Sequence, residues 1–387
     1  MNLLMISHEY PRYDRHAGSL RFFSIIKILA ESQHVFFYNS GLLNQCKTFG
    51  EADTLKYQTK LAEAGVTILT GELPDLLKLH AFDAVFFEFY GSCRKFVDIV
   101  RHLQPDAKVI VDTVDVHYRR MLSKPESLKD NKYIKDTNRT KRREIEAYSK
   151  ADIVITVTNE DSEELYKEIP SAEIVIIPTI HSCPPLIKKT PKLHSLIFVA
   201  GFMHEPNVDA AMYLVKDIFP LILQVVPDVT LKLVGDSPPE CVRQLSSDCI
   251  EVTGFVQSTA PYLEQSAVSV APLRYGAGIK GKIGEAMAHG VPVVTTPIGA
   301  EGYGVNMQNL LIAKDNEQFA EYVVRLFNDN DLYERIRKNG WQLVYDEYSE
   351  HAVREKIISL LERTRLCPVK RISALSRMKI YLKSKLG

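Results

Sequence analysis

Short apolar runs alternate with longer helical stretches along almost the whole chain, and this rhythm restricts the possible folds more than any other feature. The runs at residues 2–7, 35–38, 66–69, 84–88, 109–113, 153–157 and 174–177 are rich in Val, Ile and Phe and do not alternate with polar residues. Such runs suit strands of a parallel sheet that is covered by crossover helices on both faces. Helices fit between them, for example at 19–31, 54–64, 93–102 and 141–150. Four prolines then interrupt the period between 178 and 195, a linker composition. The rhythm restarts with strands at 196–199, 230–234, 250–253, 267–271, 293–295 and 310–313. Helices are expected near 208–225, 282–289, 316–328, 331–345 and 349–363. The prediction is an α/β fold of two Rossmann-like parallel-sheet domains, residues 1–185 and 186–345. Residues 346–387 add a helix that packs back on the first domain and a basic tail. For 387 residues two cores are natural. Ligands in open α/β sheets bind beyond the carboxyl ends of the strands, so a cleft between two such domains is the expected site.

Charge excludes one class of partner. The chain balances 48 Lys and Arg against 48 Asp and Glu, which gives no basic footprint for nucleic acid. Its six cysteines are scattered without a C-x-x-C pair, which fits a reducing cytosol rather than a disulfide framework or thiolate metal site. The first apolar stretch is too short for a signal h-region, and no uncharged run approaches the roughly 20 residues of a membrane helix. Two local excesses stand out. Residues 119–143 hold ten basic residues against three acidic, and 368–387 hold six against none. Either is a solvated surface or a contact for anionic lipid, which places the chain in the cytoplasm, peripheral at most on the inner membrane face. In the tail, Ile372, Leu375, Met378, Leu382 and Leu386 keep helical spacing, interrupted by Lys379 and Lys383.

The stretch PLRYGAGIKGKIGEAMAHGVPVVTTPIGAE, residues 272–301, carries the chemistry. A strand ends in a loop with Arg274, Gly276, Gly278, Lys280, Gly281 and Lys282, and a helix opens with Glu285 one turn in. Glycines let backbone approach a ligand, and a helix N-terminus offers unpaired N–H groups and partial positive charge. With Arg274 and Lys282 beside them, that combination suits a diphosphate, and Glu285 is placed to accept from vicinal hydroxyls. The helix stops at His289–Gly290. A second small-residue turn, including Gly299, follows the next strand. The plain alternative is a tight strand–helix connection. The coincidence of two cations, an acid and a second glycine turn argues for a ligand.

This stretch resembles the donor-binding signature of glycosyltransferase family 4, the retaining nucleotide-sugar transferases of GT-B fold. LIFVAGFMHEPNVDAAMYLVKDIFPLILQVVPDVTLKLVG, residues 196–235, is similar to the opening of that family's C-terminal domain. EYPRYDRHAGSLRFF (9–23) and VIVDTVDVHYRR (109–120) resemble acceptor-domain loops of one bacterial branch. The resemblance implies an acceptor-binding first domain and a donor-binding second domain. It implies that Arg274 and Lys282 neutralise the donor diphosphate, with Lys280 weaker because its side chain points outward, and that Glu285 binds the ribose. Gly201 and Gly278 would let backbone approach the donor, Gly18 and Ser19 would face its phosphates, and His117 would lie near the reacting sugar. No metal or other cofactor is implied, and the acceptor would be a glycan, lipid-linked or protein-linked hydroxyl in bacterial surface glycan synthesis. The sequence departs from the family pattern at Ala277, where many members carry a first glutamate, and after Gly201, where Phe202 to Glu205 replace an Arg and a Lys. These departures keep a non-catalytic GT-B-like subunit in view, beside a nucleotide-sugar epimerase. A Rossmann dehydrogenase is disfavoured because no G-x-G-x-x-G follows the first strand.

Three further places are candidates. His117 is read as ending a strand that bears Asp112 and Asp115, either as an active-site donor or as a structural cap. Metal ligation is disfavoured there because strand alternation splits the two carboxylates. Glu88, at the end of an apolar strand, and His8 and Glu9, after the first strand, are candidate acceptor contacts. Residues 118–120 are assigned to the basic surface.

Overall fold

A computed structural model describes residues 1–15, 17–124, 129–186, 193–276 and 278–371. Ala277 and the tail from 372 onward lie outside the described residues. The chain divides into two compact units, one of residues 1–122, 127–178 and 354–387, the other of 123–126 and 179–353.

Unit 1 is built on seven parallel strands: β1 (Asn2–Ser7), β2 (His34–Asn39), β3 (Thr67–Leu69), β4 (Ala84–Glu88), β5 (Lys108–Asp112), β6 (Ile153–Thr156) and β7 (Glu173–Ile176). They lie in the order β3-β2-β1-β4-β5-β6-β7. Every residue of β4 and β6 is buried, as the unbroken apolar runs require of strands covered on both faces. Leu4, Val85, Val109 and Val154 continue one core across neighbouring strands. The helix Glu350–Leu366 joins this unit from Arg354 on. Arg354 pairs with Glu31, Arg363 with Glu173 at 2.8 Å, and Lys108 donates to the carbonyl of Cys367.

Unit 2 holds six parallel strands: β8 (Ser195–Val199), β9 (Thr230–Val234), β10 (Ile250–Gly254), β11 (Val268–Ala271), β12 (Val293–Thr295) and β13 (Leu311–Ile312). Their order is β10-β9-β8-β11-β12-β13. Its helices carry the expected stops and starts. Asp315 accepts from the Gln318 N–H at one N-terminus, and Gly290, with φ of 63°, closes the helix Gly281–Ala288.

Three local expectations are corrected. The single helix expected near 208–225 is Glu205–Tyr213, a π-helical turn Leu214–Ile218, then Phe219–Val225. Pro220 lacks an N–H, so the helical ladder must change register around it. Part of the proline-rich segment is packed: His181 donates its N–H to the Tyr348 carbonyl and its ring meets the Tyr303 hydroxyl at 3.0 Å. Finally, His117 does not end a strand. β5 stops at Asp112, and His117 opens the short helix His117–Leu122.

Candidate functional site

Each sheet has one place where its connections change direction. In unit 1 this falls between β1 and β4, in unit 2 between β8 and β11. Loops leaving two such strands diverge and leave a crevice at the carboxyl ends, where ligands bind in this class of sheet.

At the unit 1 switch point, β1 ends on Ser7 and β4 on Glu88, and the Ser7 hydroxyl donates to Glu88 Oε2 at 2.5 Å. Glu88 is buried, and burial raises its pKa to about 8. Asp112 and Glu9 add to the rise, against Ser7 and Arg21. Burial thus favours the protonated form of this carboxyl. Burial likewise raises Glu9, with His8 and Arg12 pulling the other way. One strand over, Asp112 forms a fully buried pair with Arg21 at 2.5 Å. The same guanidinium also donates to the carbonyls of Ile177 and Pro178. Gly18 and Ser19 sit in the first turn of the helix Ala17–Ala30, and a Cβ on Gly18 would come 3.3 Å from Val114.

His8 and His117 are linked through Phe89, whose ring lies 5.5 Å from one and 5.8 Å from the other. Nδ1 of His117 lies 3.2 Å from both Asp115 and Glu144. Burial works against the charged ring, yet Glu144 and Asp115 outweigh it and raise the His117 pKa. Glu144 itself is fully buried. It accepts from the backbone N–H groups of His117 and Tyr118 at 3.0 and 2.8 Å, and from the Tyr148 hydroxyl at 3.0 Å. It thus caps the helix that His117 opens, a favourable seat for a carboxylate. No motif signals Glu144, because it comes from the helix Asn131–Ser149, 27 residues along the chain. The surface assignment of 118–120 is corrected as well. Tyr118 is wholly buried, while Arg119 pairs with Asp161 and Arg120 with Asp115. Phe89 and Val114 both have positive φ, 64° and 59°, at the ends of β4 and β5. For a β-branched residue this conformation is strained, and such strain gathers at functional sites.

At the unit 2 switch point, β8 leads to Gly201 and β11 to Arg274. A Cβ on Gly201 would meet nothing within 4 Å, so this turn borders open space. Arg274 gives Nε to Asp209 at 2.9 Å and a second N–H to its other oxygen. Lys282, in the first turn of the helix Gly281–Ala288, donates to Asn207 Oδ1 at 2.5 Å and lies 4.6 Å above the Phe198 ring. Burial, with Lys280 nearby, lowers its pKa to about 7. Lys280 does not point outward: its side chain is 10% exposed, and its ammonium is held by Glu301 at 3.1 Å and by the Gly278 carbonyl. Its neighbours Gly276 and Gly278 have φ of 140° and 69°, conformations a side chain would resist. Glu285 bonds the Thr259 hydroxyl, and burial raises its pKa. Gly299 has a structural role, its N–H donating to the Thr296 hydroxyl, and a Cβ there would collide with the Thr295 hydroxyl. Beyond the ends of β9 and β10, a cavity of about 630 Å³ is lined by Asp236, Ser237, Arg243, Gly254 and Phe255 among others. Asn207, Asp209, Thr259 and Glu301 escape a reading by motif, since each matters only through the cation or carboxylate it meets in space.

Residues 194–329 match a family model described as Glycosyl transferases group 1. A curated relative from Klebsiella pneumoniae, described as an uncharacterized 44.6 kDa protein in the cps region, is 24% identical over 169 residues. The match covers 41% of this chain and spans less than half, 44%, of that relative. Among solved structures, sucrose-phosphate synthase from Thermosynechococcus elongatus superposes with a TM-score of 0.67 at 16% identity, over 94% of this chain and 98% of its own. HepE from Anabaena, in complex with UDP, gives 0.66 at 13% identity over 94% and 100%. S. aureus TarM gives 0.60 at 16% identity, over 74% of this chain and 57% of TarM. The fold is that of the GT-B glycosyltransferases, two Rossmann-like parallel-sheet units. Together with the family match it supports a glycosyltransferase.

Proposed function

We propose that this chain is a retaining glycosyltransferase that moves a hexosyl unit from a nucleotide sugar to a hydroxyl of a glycan, lipid-linked or protein-linked acceptor in bacterial surface glycan synthesis. The observation that carries this reading is that Arg274 and Lys282 both reach the helix Glu205–Tyr213 beside the open turn at Gly201, with Glu285 one turn along the helix that bears Lys282. There Arg274 and Lys282 take the diphosphate, the cavity beside Phe255 takes the nucleoside, and Glu285 accepts from ribose hydroxyls. Charge on the departing diphosphate is stabilised by these cations and the helix N-terminus, without a metal. Unit 1 takes the acceptor at Glu88, His8 and Glu9, with His117 near the reacting sugar. UDP in the HepE and TarM structures favours UDP sugars in a first screen, and the cps region of the Klebsiella relative favours a polysaccharide acceptor.

The decisive experiment is sugar transfer by the purified chain from a panel of UDP- and GDP-sugars, with and without acceptors. Transfer only when an acceptor is present supports the reading. Donor conversion without acceptor points to an epimerase instead. Nucleotide binding with no turnover at all points to a non-catalytic subunit, which the pairing of Arg274 with Asp209 and of Lys280 with Glu301 favours.

The reading includes peripheral attachment to an anionic membrane. No described helix is long and apolar enough to cross one. Lys132, Lys135, Arg139, Arg142 and Arg143 are all exposed on the helix Asn131–Ser149, and their spacing places them on one face. Each adds about 1 kcal/mol near an anionic surface. Flotation with phosphatidylglycerol vesicles should fall sharply in a Lys132→Glu, Arg139→Glu variant.

A further inference from the structure

Two of the three cations of the donor loop, Arg274 and Lys282, are held from one stretch of the helix Glu205–Tyr213. Asn207 uses both ends of its amide, Oδ1 accepting from Lys282 at 2.5 Å and Nδ2 donating to the Gly201 carbonyl at 2.7 Å. Two residues on, Asp209 takes the Arg274 fork with both oxygens. One turn further, the Tyr213 ring lies 4.7 Å from the same guanidinium, and its hydroxyl is fixed by Asn316. Three functional positions, Gly201, Lys282 and Arg274, are thus placed by side chains of a helix that carries no positive charge of its own.

The two restraints differ in kind. An amide is neutral, so Asn207 orients Lys282 without cancelling its charge. A carboxylate is anionic, and bidentate pairing satisfies the guanidinium with the geometry a phosphate would use. A diphosphate arriving at Arg274 therefore competes with Asp209 for the same N–H groups. The Arg274 side chain is 49% exposed and reachable, whereas that of Asp209 is 17% exposed.

Building on the donor-site reading above, we propose that Asn207 and Asp209 are positioning residues of the donor site. Asn207 presents Lys282 to the diphosphate, and Asp209 is a latch that holds Arg274 until the diphosphate displaces it. The latch keeps the loop ordered and its cation masked before the donor binds, and it discriminates against ligands with too little phosphate charge to win the exchange. Monophosphates should therefore bind far more weakly than diphosphates, by more than the loss of one contact.

The test is calorimetric titration of UDP, GDP and inorganic pyrophosphate into the full chain between pH 6 and 9. Asp209→Asn keeps the shape and removes the competing charge. It should tighten nucleoside diphosphate and pyrophosphate binding by about three- to tenfold, the scale of a charge-assisted hydrogen bond released to the ligand. The gain should vanish when Arg274→Gln is added. Asp209→Ser serves the same purpose should the asparagine variant fold poorly. Asn207→Asp sets a carboxylate against Lys282 and should move the pH at which affinity declines upward by about one unit or more. A midpoint that stays in place while only the melting temperature changes means that Asn207 does not face Lys282. Affinity unchanged or weakened in well-folded Asp209→Asn and Asp209→Ser overturns the latch, and an unmoved pH midpoint in Asn207→Asp overturns the presenting role. Failure of all three probes to bind the wild-type chain instead removes the donor-site reading, and this inference with it.

Discussion

The two sheets share a strand order and end in opposite chemistry. In each, the first strand is central, the next two lie to one side and the fourth crosses to the other. At the crossing, unit 1 sets the acids Glu88, Glu9 and Asp112 under burial, with Arg21 paired to Asp112 and His8 and Arg12 acting on Glu9. Unit 2 sets Arg274, Lys280 and Lys282 at the corresponding place, with Asp209 and Glu301 as restraints. Topology therefore chooses where ionisable groups gather, and the residues at and beyond the strand ends choose whether these are acids or bases.

The contrast can be broken most severely at Arg21. Arg21→Met would leave Asp112 buried and unpaired and free the carbonyls of Ile177 and Pro178. The expected loss is about 3–5 kcal/mol, read by urea denaturation. Next comes Lys282→Ala, which should lower transfer by about 10²-fold with the melting temperature little changed. Unchanged turnover in a folded variant would remove the diphosphate assignment.

Two pH responses sharpen the comparison, because the edges titrate in opposite senses. Glu88 is raised from 4.5 to about 8, so its contribution to stability is full below 4.5 and is lost as pH rises through about 8. The urea midpoint should fall across that window, and Glu88→Gln should flatten the slope. Lys282 is lowered to about 7 in the free chain, and a bound diphosphate raises it again. Donor binding should then take up a proton above pH 7, with affinity falling by up to about tenfold per pH unit. Buffers of different ionisation enthalpy reveal that uptake by calorimetry. The smallest effect is expected from Ser7→Ala, about 1 kcal/mol for one lost hydrogen bond, with the Glu88 midpoint moved upward.

Much of the architecture was legible from apolar periodicity. β1, β4, β9 and β12 fall on the runs read as strands, because a strand buried on both faces leaves an unbroken apolar signature. The cationic loop was legible for a related reason: its glycines, cations and helix start are contiguous in sequence. His117 was misplaced because Asp-Thr-Val-Asp-Val-His reads as alternation, whereas Val114 at φ of 59° ends the extended path and Glu144 caps a helix from far along the chain. Asn207, Asp209 and Glu301 were illegible because a polar residue on a helix or loop shows no sign of its spatial partner. His181 was hidden by the prolines around it, although Gly284 has no room for a Cβ against its ring and the Tyr303 hydroxyl.

The return of the helix Glu350–Leu366 to unit 1 has a consequence for biogenesis. Unit 2 is one continuous segment, 179–353, with only 123–126 added from earlier in the chain, while unit 1 needs segments from both ends of the chain. During synthesis at roughly 5–20 residues per second, the ribosome emits the whole second core before the first receives its closing helix. The half that begins to fold first is therefore completed last. Until then Glu31, Glu173 and the flank of β5 wait in solvent for a partner more than 180 residues behind them, and nascent chains stalled near residue 350 should present that flank to chaperones.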